Sequence, residues 1–452
     1  MCYSDDSDSE MLKAALFLYD YNWIYDFKVT NLLSDNIIDR IPEQWVSFLS
    51  SIELDRFNEV FLSTGKSFND LPSAISKFIK EYRSIKLQIG QSDSCNAQSD
   101  QLSNDDKKGV SRKKIHEISR LAELIEENVS KSLTVVDIGS GLGYLGEELT
   151  RRGYKVVGVE TSEAHIARAD TRRHKTPAHS FPTLHLNITD SAESAESLTS
   201  SIRGSEDKIC LVGLHCCGDL TCSILKIFSQ NANFQRWHYF NFIVLYYYNF
   251  KFSVAVVSCC YHKMSCQDNK FQNFPISDKL RAILKKLSST EMFSVYLLRL
   301  GSQENIVKWR KQTYEEHHHH KINVFFRAVL EKVCLDNKVK LVKKKRRGAL
   351  WNSFSDVDSF VESVFEKYDL KDVDIVKFSS DIRKCHKENS KYFQMFENLT
   401  GLQFLLQSVI ENLVILDRFH FLREKSDLNV CKVLEIFDPD ISPRNKVLYA
   451  EK

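Results

Sequence analysis

Val135-Val136-Asp137-Ile138-Gly139-Ser140-Gly141-Leu142-Gly143 is the stretch whose reading decides the fold. Leu133 to Ile138 is a short apolar, β-branched run, the composition of a parallel strand covered on both faces. Gly139, Gly141 and Gly143 then allow a tight turn and a close backbone approach to a ligand. Tyr144 to Arg152 reads as the helix that follows, which completes the first strand–turn–helix of a doubly wound sheet. Working outward, Tyr154 to Glu160, Thr183 to Ile188, Lys208 to Leu214 and Val254 to Ser258 read as strands two to five, with helices between them. Val430 to Phe437 and Lys446 to Glu451, joined by a turn rich in Asp, Pro and Asn, read as a hairpin. The expected architecture is therefore α/β: a Rossmann-like doubly wound sheet, mostly parallel, closed by a C-terminal antiparallel hairpin.

With 452 residues, 43% of them hydrophobic, the chain can bury a large core and form more than one domain. A net charge of +2 confines any nucleic-acid surface to a local patch. The 12 cysteines show no paired CxxC spacing and no secretory segment precedes them. They read as reduced thiols of an intracellular protein, cytoplasmic or nuclear. Phe242 to Phe250 is strongly apolar but too short and tyrosine-rich to cross a membrane, so no membrane span is expected. Nothing in the pattern assigns an oligomeric state.

Five segments are expected. Residues 1–87 form a helical N-terminal cap, with Trp45, Phe48, Leu49 and Ile52 at helical spacing after Pro42. Residues 88–110 are polar and read as a linker. Residues 111–276 carry strands one to five, 277–425 form a helical insertion, and 426–452 supply the closing hairpin. The helix from Ser111 opens with Arg112, Lys113, Lys114 and His116, and the insertion contains the basic run Lys343-Lys344-Lys345-Arg346-Arg347.

Gly141 to Gly146 also matches GxGxxG, which alone is a weak sign of a dinucleotide. Asp137 argues against that ligand, because a carboxylate at the strand tip repels a pyrophosphate. The same carboxylate suits the cationic methionine end of S-adenosyl-L-methionine. Glu160 closes the second strand, placed to accept hydrogen bonds from both ribose hydroxyls. Asp190, after the third strand, is placed to meet the adenine amino group. The expected cofactor site is thus Asp137, Gly139, Ser140, Gly141, Gly143, Glu160 and Asp190.

Leu214-His215-Cys216-Cys217-Gly218-Asp219-Leu220 and Ser258-Cys259-Cys260-Tyr261-His262 follow the fourth and fifth strands, so both are expected to open onto the crevice at the strand carboxyl ends. His215, Asp219 and His262 are candidate general bases, and Tyr261 is a candidate stacking platform for a planar base. The nearby cysteines raise a zinc hypothesis, but adjacent Cys-Cys pairs chelate poorly compared with C-x2-C, and no metal is assigned. His317 to His320 is likewise given no metal.

These residues also carry a family resemblance. D-I-G-S-G-L-G-Y-L at Asp137, V-G-L-H-C-C-G-D-L at Val212, C-C-Y-H at Cys259, N-F-P-I-S at Asn273 and F-D-P-D-I-S-P-R-N at Phe437 resemble the methyltransferase-like twenty-five group, also labelled ribosomal RNA adenine dimethylase domain-containing. I-P-E-Q-W at Ile41, Q-E-x-x-x-x-W ending at Trp309, V-F-F-R-A-V-L at Val324 and L-D-R at Leu416 extend the match over most of the chain. The resemblance implies an S-adenosylmethionine-dependent methyltransferase fold. The C-C-Y-H stretch is more distantly similar to the C-C-H-H of transfer RNA 2′-O-methyltransferases. No N/D-P-P-Y/F/W occurs, so the residues do not support the adenine dimethylase label. Trp237 to Phe252 is longer and more aromatic than the family's connection between the fourth and fifth strands.

The expectation is a methyltransferase acting on RNA, with Lys113, Lys114 and Lys343 to Arg347 as candidate phosphate contacts, the last run reading equally well as a solvated face or a nuclear-import signal. A protein acceptor is the first alternative, and a non-catalytic cofactor-binding interaction module is the second.

Overall fold

The computed structural model describes residues 7–63, 66, 68–85, 90–91, 110–174, 179–202, 209–230, 252–268, 270–287, 293–344, 356–370 and 373–452. The chain divides into two compact units, one of residues 1–16, 87–303 and 409–452, the other of residues 17–86 and 304–408.

The first unit holds the sheet. Its strands are β1 (Thr134–Ile138), β2 (Lys155–Glu160), β3 (Thr183–His185), β4 (Ile209–Cys217), β5 (Phe252–Cys259), β6 (Val430–Glu435) and β7 (Lys446–Glu451). They lie in the order β3-β2-β1-β4-β5-β7-β6, and the two-residue strand Gly90–Gln91 pairs in parallel with β6 at the edge. Strands β1 to β5 run parallel; β7 is antiparallel to both β5 and β6. Strand order reverses between β1 and β4, the switch point where such sheets open a crevice.

Helices α1 (Arg112–Asn128) and α2 (Tyr144–Arg151) share one core with the sheet. Ile118, Leu121 and Ile125 of α1 and Leu145 and Leu149 of α2 join Val135, Val156, Cys210, Val212, Ala255, Val257, Val447 and Tyr449 there. All five β1 residues are buried, so both faces of the strand are covered, which is why the run lacks polar alternation. Helices α3 (Glu163–Arg173), α4 (Ala192–Ile202) and α5 (Leu220–Gln230) complete the crossovers.

The expected strands are present, with differences at their ends, three of which bear on the site. β3 stops at His185 rather than Ile188. β4 runs on to Cys217 and β5 to Cys259, because Cys216 and Cys217 pair with Ser258 and Cys259 beyond a register shift between Gly213 and Cys216. The residues expected as loops after both strands are thus partly ladder.

The second unit is built from both helical regions. Trp309 Nε1 donates to Asn58 Oδ1 (3.1 Å), and Asn398 Nδ2 donates to the carbonyls of Leu49 (2.9 Å) and Ile52 (2.8 Å). Residues 17–86 of the N-terminal segment and 304–408 of the insertion therefore fold together as one body, whereas residues 1–16 of the expected cap and 277–303 and 409–425 of the expected insertion belong with the sheet. His317 and His320 bracket Glu397, each Nδ1 at 2.7 Å from one carboxylate oxygen. That gives the histidine run a structural place in the second unit.

Residues 237–251 of the aromatic stretch lie outside the described residues, as do most of the expected linker, Lys345, Arg346, Arg347 and the Lys343 side chain. Lys344 donates to the Phe365 carbonyl (2.7 Å). The stretch Ile375–Lys425 contains a window apolar and long enough by composition to cross a membrane, but most of that window, with Leu402, Leu405, Leu406, Leu413 and Leu416, is buried within the protein.

Candidate active site at the carboxyl ends of the strands

Gly139, Gly141 and Gly143 all have positive φ (74°, 57° and 78°), so the turn after β1 uses the left-handed region three times in five residues. Glu160 holds that turn: its Oε2 accepts the Gly141 N–H (2.8 Å), while Oε1 accepts the N–H groups of Thr161 (3.0 Å) and Ser162 (2.9 Å). A carboxylate offers about four acceptor positions, and three are already used by backbone. Glu160 is thus first a clamp on the glycine turn, and the Thr161 hydroxyl lies within reach of its Oε1 as well (3.5 Å).

Asp137 is fully buried at the tip of β1, and its Oδ2 has no hydrogen-bond partner among the described residues. Burial, then the charge of Glu160, pushes its carboxyl up to about 7, against the opposing pull of the Gly146 N–H and Lys114. Ser140 Oγ is also buried, and it too has no partner among the described residues. Two orphaned polar atoms beside a glycine cradle mark a place for a polar ligand, and a cationic one relieves the Asp137 carboxylate.

Helix α2 begins beside this turn with Tyr144 half-buried between two cations. Lys114 Nζ lies 4.2 Å from its ring centre and the Arg172 guanidinium carbon 3.8 Å. Arg172 is fixed by Glu147 (2.6 and 2.7 Å) and by the Leu142 carbonyl (2.6 Å). Lys113 lies 3.8 Å from Glu117. The two lysines expected to hold phosphate are therefore engaged within the site's own wall. Asp190 is paired with Lys226 (2.8 Å), which also donates to Asn273 Oδ1 (2.6 Å).

On the acceptor side, His215 adopts φ 62° at the bulge in β4. Its Nε2 donates to Glu117 Oε2 (2.9 Å), and Glu117 Oε1 accepts from the Ser442 hydroxyl (2.6 Å). Burial works to raise the Glu117 carboxyl, but the hydrogen bond and charge of His215, with Ser442 and Lys113, outweigh it and hold it below the usual range. Glu117 is a buried anion on α1 that the sequence reading passed over. The available signal was its position four residues before Leu121, on the stripe that faces the sheet.

Asp219 is a brace rather than a base. Its Oδ2 accepts the N–H and hydroxyl of Ser265 (2.7 Å each), and its Oδ1 accepts from Asn273 Nδ2 (2.8 Å). Tyr261 is fully buried; its hydroxyl approaches Glu411 (3.4 Å) and its ring lies under Arg418 (5.2 Å). No ring face is left for a stacked base, which corrects that expectation. His262 sits on the same single 3-10 turn, Tyr261–Lys263. Its partial burial and the nearby positive charges of Arg299 and Lys263 keep its pKa below the usual imidazole value.

Three cysteines meet between the ends of β4 and β5. Cys217 and Cys259, register partners on adjacent parallel strands, bring their sulfurs to 3.1 Å. Hydrogen bonding from Cys259 draws the Cys217 thiol down, while Cys259 is pushed up by the same contact.

A family model described as a methyltransferase domain matches residues 113–237, which span α1, the glycine turn, Glu160 and His215. This chain carries a methyltransferase domain. Beyond the domain, the chain is 24% identical over 304 residues to the human protein named "Probable methyltransferase-like protein 25", covering 65% of this chain and 44% of that one. The mouse protein of the same name is 24% identical over 307 residues, covering 65% and 45%. The chain spans less than half the length of these curated relatives. Among solved structures, a ribosomal protein L11 methylase from Lactobacillus delbrueckii subsp. bulgaricus aligns at 19% identity and TM-score 0.21, over 31% of this chain and 61% of that one. A glycopeptide N-methyltransferase complexed with S-adenosyl-L-methionine aligns at 13% identity and TM-score 0.20, over 34% and 56%. Within the methyltransferase domain, the glycine turn and the Glu117–His215 pair are the two parts of the site with the most complete geometry.

Proposed function

We infer that the domain transfers a methyl group from S-adenosyl-L-methionine to RNA. The observation that carries the cofactor is the buried Asp137 Oδ2, without a partner among the described residues and set beside the glycine turn that Glu160 clamps. Bound there, the cofactor would supply an electrophilic methyl on a cationic sulfur. The chain's own residues supply charge, alignment and a proton acceptor. Asp137 offers its carboxylate to a cation, Glu160 fixes the turn, and Ser140 Oγ is available to a donor or acceptor.

Glu117 takes the Nε2 proton side of His215, which leaves the Nδ1 lone pair to receive a proton from an acceptor hydroxyl or amine. This is the logic of an oriented imidazole base, in which a carboxylate fixes tautomer and ring angle. Alignment and deprotonation of the acceptor are the protein's main contributions to a displacement of this kind. The RNA acceptor is supported by the similarity of the Cys259–His262 stretch to RNA 2′-O-methyltransferases, not by surface charge, since Lys113 and Lys114 are engaged.

The test uses the full chain. Calorimetry with S-adenosyl-L-methionine should show binding that Asp137→Asn weakens at least tenfold; no heat at millimolar cofactor sinks the reading. Incubation with labelled cofactor and total cell lysate follows. Label lost on ribonuclease treatment supports RNA, and label lost only on protease treatment replaces RNA by protein. Binding without any labelled product means a non-catalytic cofactor-binding module.

A further inference from the structure

We propose that Cys217, Cys259 and Cys260 form a binding site for a zinc ion at the carboxyl ends of β4 and β5. Their three sulfurs all lie within 4.8 Å of one another, and the closest pair is 3.1 Å apart. Thiolates around a single tetrahedral zinc, each about 2.3 Å from the metal, stand about 3.8 Å from one another. That spacing falls inside the range found here.

Two backbone features produce the cluster, and both oppose what a plain strand would do. In a regular strand consecutive side chains point to opposite faces, so Cys259 and Cys260 should diverge. Cys260 instead takes φ 41° and ψ 48°, a left-handed conformation that a non-glycine residue adopts at a cost. This brings its sulfur back to the side of Cys259. The register shift between Gly213 and Cys216 then carries Cys217 opposite Cys259. The objection to adjacent cysteines as chelators assumes regular backbone, and neither strand end is regular here.

Gly218 locks the arrangement. It has φ 58°, and a Cβ placed there would meet the Lys263 carbonyl oxygen at 2.7 Å. Only glycine lets the turn after β4 lie this close to the turn after β5. Cys259 is buried, Cys260 half-buried and Cys217 exposed, so the site has a closed floor and an open mouth. Three protein ligands with one side open to solvent is the coordination of zinc sites that keep a fourth position for water or substrate. Soft sulfur donors select zinc over magnesium or calcium. This proposal stands whether or not the domain transfers methyl groups.

The experiment measures metal on the full chain, purified without a chelator or a histidine tag from zinc-supplemented cells. Mass spectrometry of metal content should give about one zinc per chain. Cys217→Ser and the double substitution Cys259→Ser/Cys260→Ser should each lower it at least fivefold, whereas exposed Cys266→Ser and His318→Ala/His319→Ala should leave it unchanged. Replacement by cobalt should give the near-ultraviolet sulfur-to-metal absorption of thiolate ligands, lost in Cys217→Ser; this wild-type readout holds even where a variant fails to fold. Zinc below a tenth of an equivalent overturns the proposal. So does zinc that survives both cysteine variants or that leaves with the histidine variant. A two-dalton mass deficit locating a Cys217–Cys259 disulfide in the isolated chain also overturns it.

Discussion

Asp137 pairs an ionisable group with surroundings that do not solvate it, and the consequence is measurable. Its carboxyl is raised to about 7 in the folded chain, against about 4 when unfolded. Between those values the fold holds a proton that the unfolded chain has released. Stability contributed by protonated Asp137 is thus intact below pH 4 and lost as pH rises through 7. Asp137→Asn should therefore stabilise the ligand-free protein above pH 7, on the order of 2–4 kcal/mol at most, with the gain vanishing near pH 4. Urea unfolding at pH 4.5 and 8 checks this; equal midpoints for both proteins at pH 8 would refute it. Glu117 makes a separate prediction. Glu117→Gln keeps the side chain's shape but removes the charge that orients His215, so methyl transfer should fall ~100-fold or more while cofactor affinity changes less than threefold. A matched loss of affinity would mean that Glu117 supports the cofactor instead. Both residues show why the site was only partly legible. A carboxylate at a strand tip before glycines is visible in a sequence. A carboxylate buried on a helix ninety-eight residues from its histidine partner is not, because its meaning depends on a tertiary contact. Asp219 and Tyr261 were legible as neighbours of the crevice, but their hydrogen bonds assign them to bracing and to the core.

At the scale of elements, the strand runs could be read because parallel strands covered on both faces must be apolar throughout. The strand ends could not. Whether Cys216 and Cys217 continue β4 depends on a bulge that only the neighbouring β5 defines. The turn containing Gly218 is where this matters most. Gly218→Ala would place a methyl 2.7 Å from the Lys263 carbonyl in a backbone region unfavourable to alanine. It should cost about 1–3 kcal/mol and separate the Cys217 and Cys259 sulfurs, read as a lower urea midpoint and a faster reaction of Cys259 with a thiol reagent. An unchanged midpoint would show that the two turns yield freely.

For the whole molecule, the division into units was the least accessible feature. Amphipathic helices announce that they bury a face but not which distant segment covers it. Trp309 and Asn58, or Asn398 and the carbonyls of Leu49 and Ile52, meet only in the folded chain. The closing hairpin, by contrast, was clear from its turn chemistry. Strand β7 fills the space between β5 and β6, and Lys452 Nζ donates to the Phe228 carbonyl (2.6 Å). Deleting residues 446–452 should therefore abolish the cooperative thermal transition of the sheet rather than lower its midpoint slightly. A truncated chain that melts cooperatively within ~5 °C of the full one would contradict this.

The position of β7 also has a consequence for synthesis. As the chain leaves the ribosome, β5 emerges before β7 and must wait, with one edge of backbone N–H and C=O groups unpaired, while residues 260–445, including the 304–408 part of the second unit, are translated. An open apolar strand edge is a template for pairing with another chain. Newly made molecules should thus depend on chaperone cover during that interval, and slowing translation beyond residue 303 should raise the insoluble fraction without altering the protein that does fold.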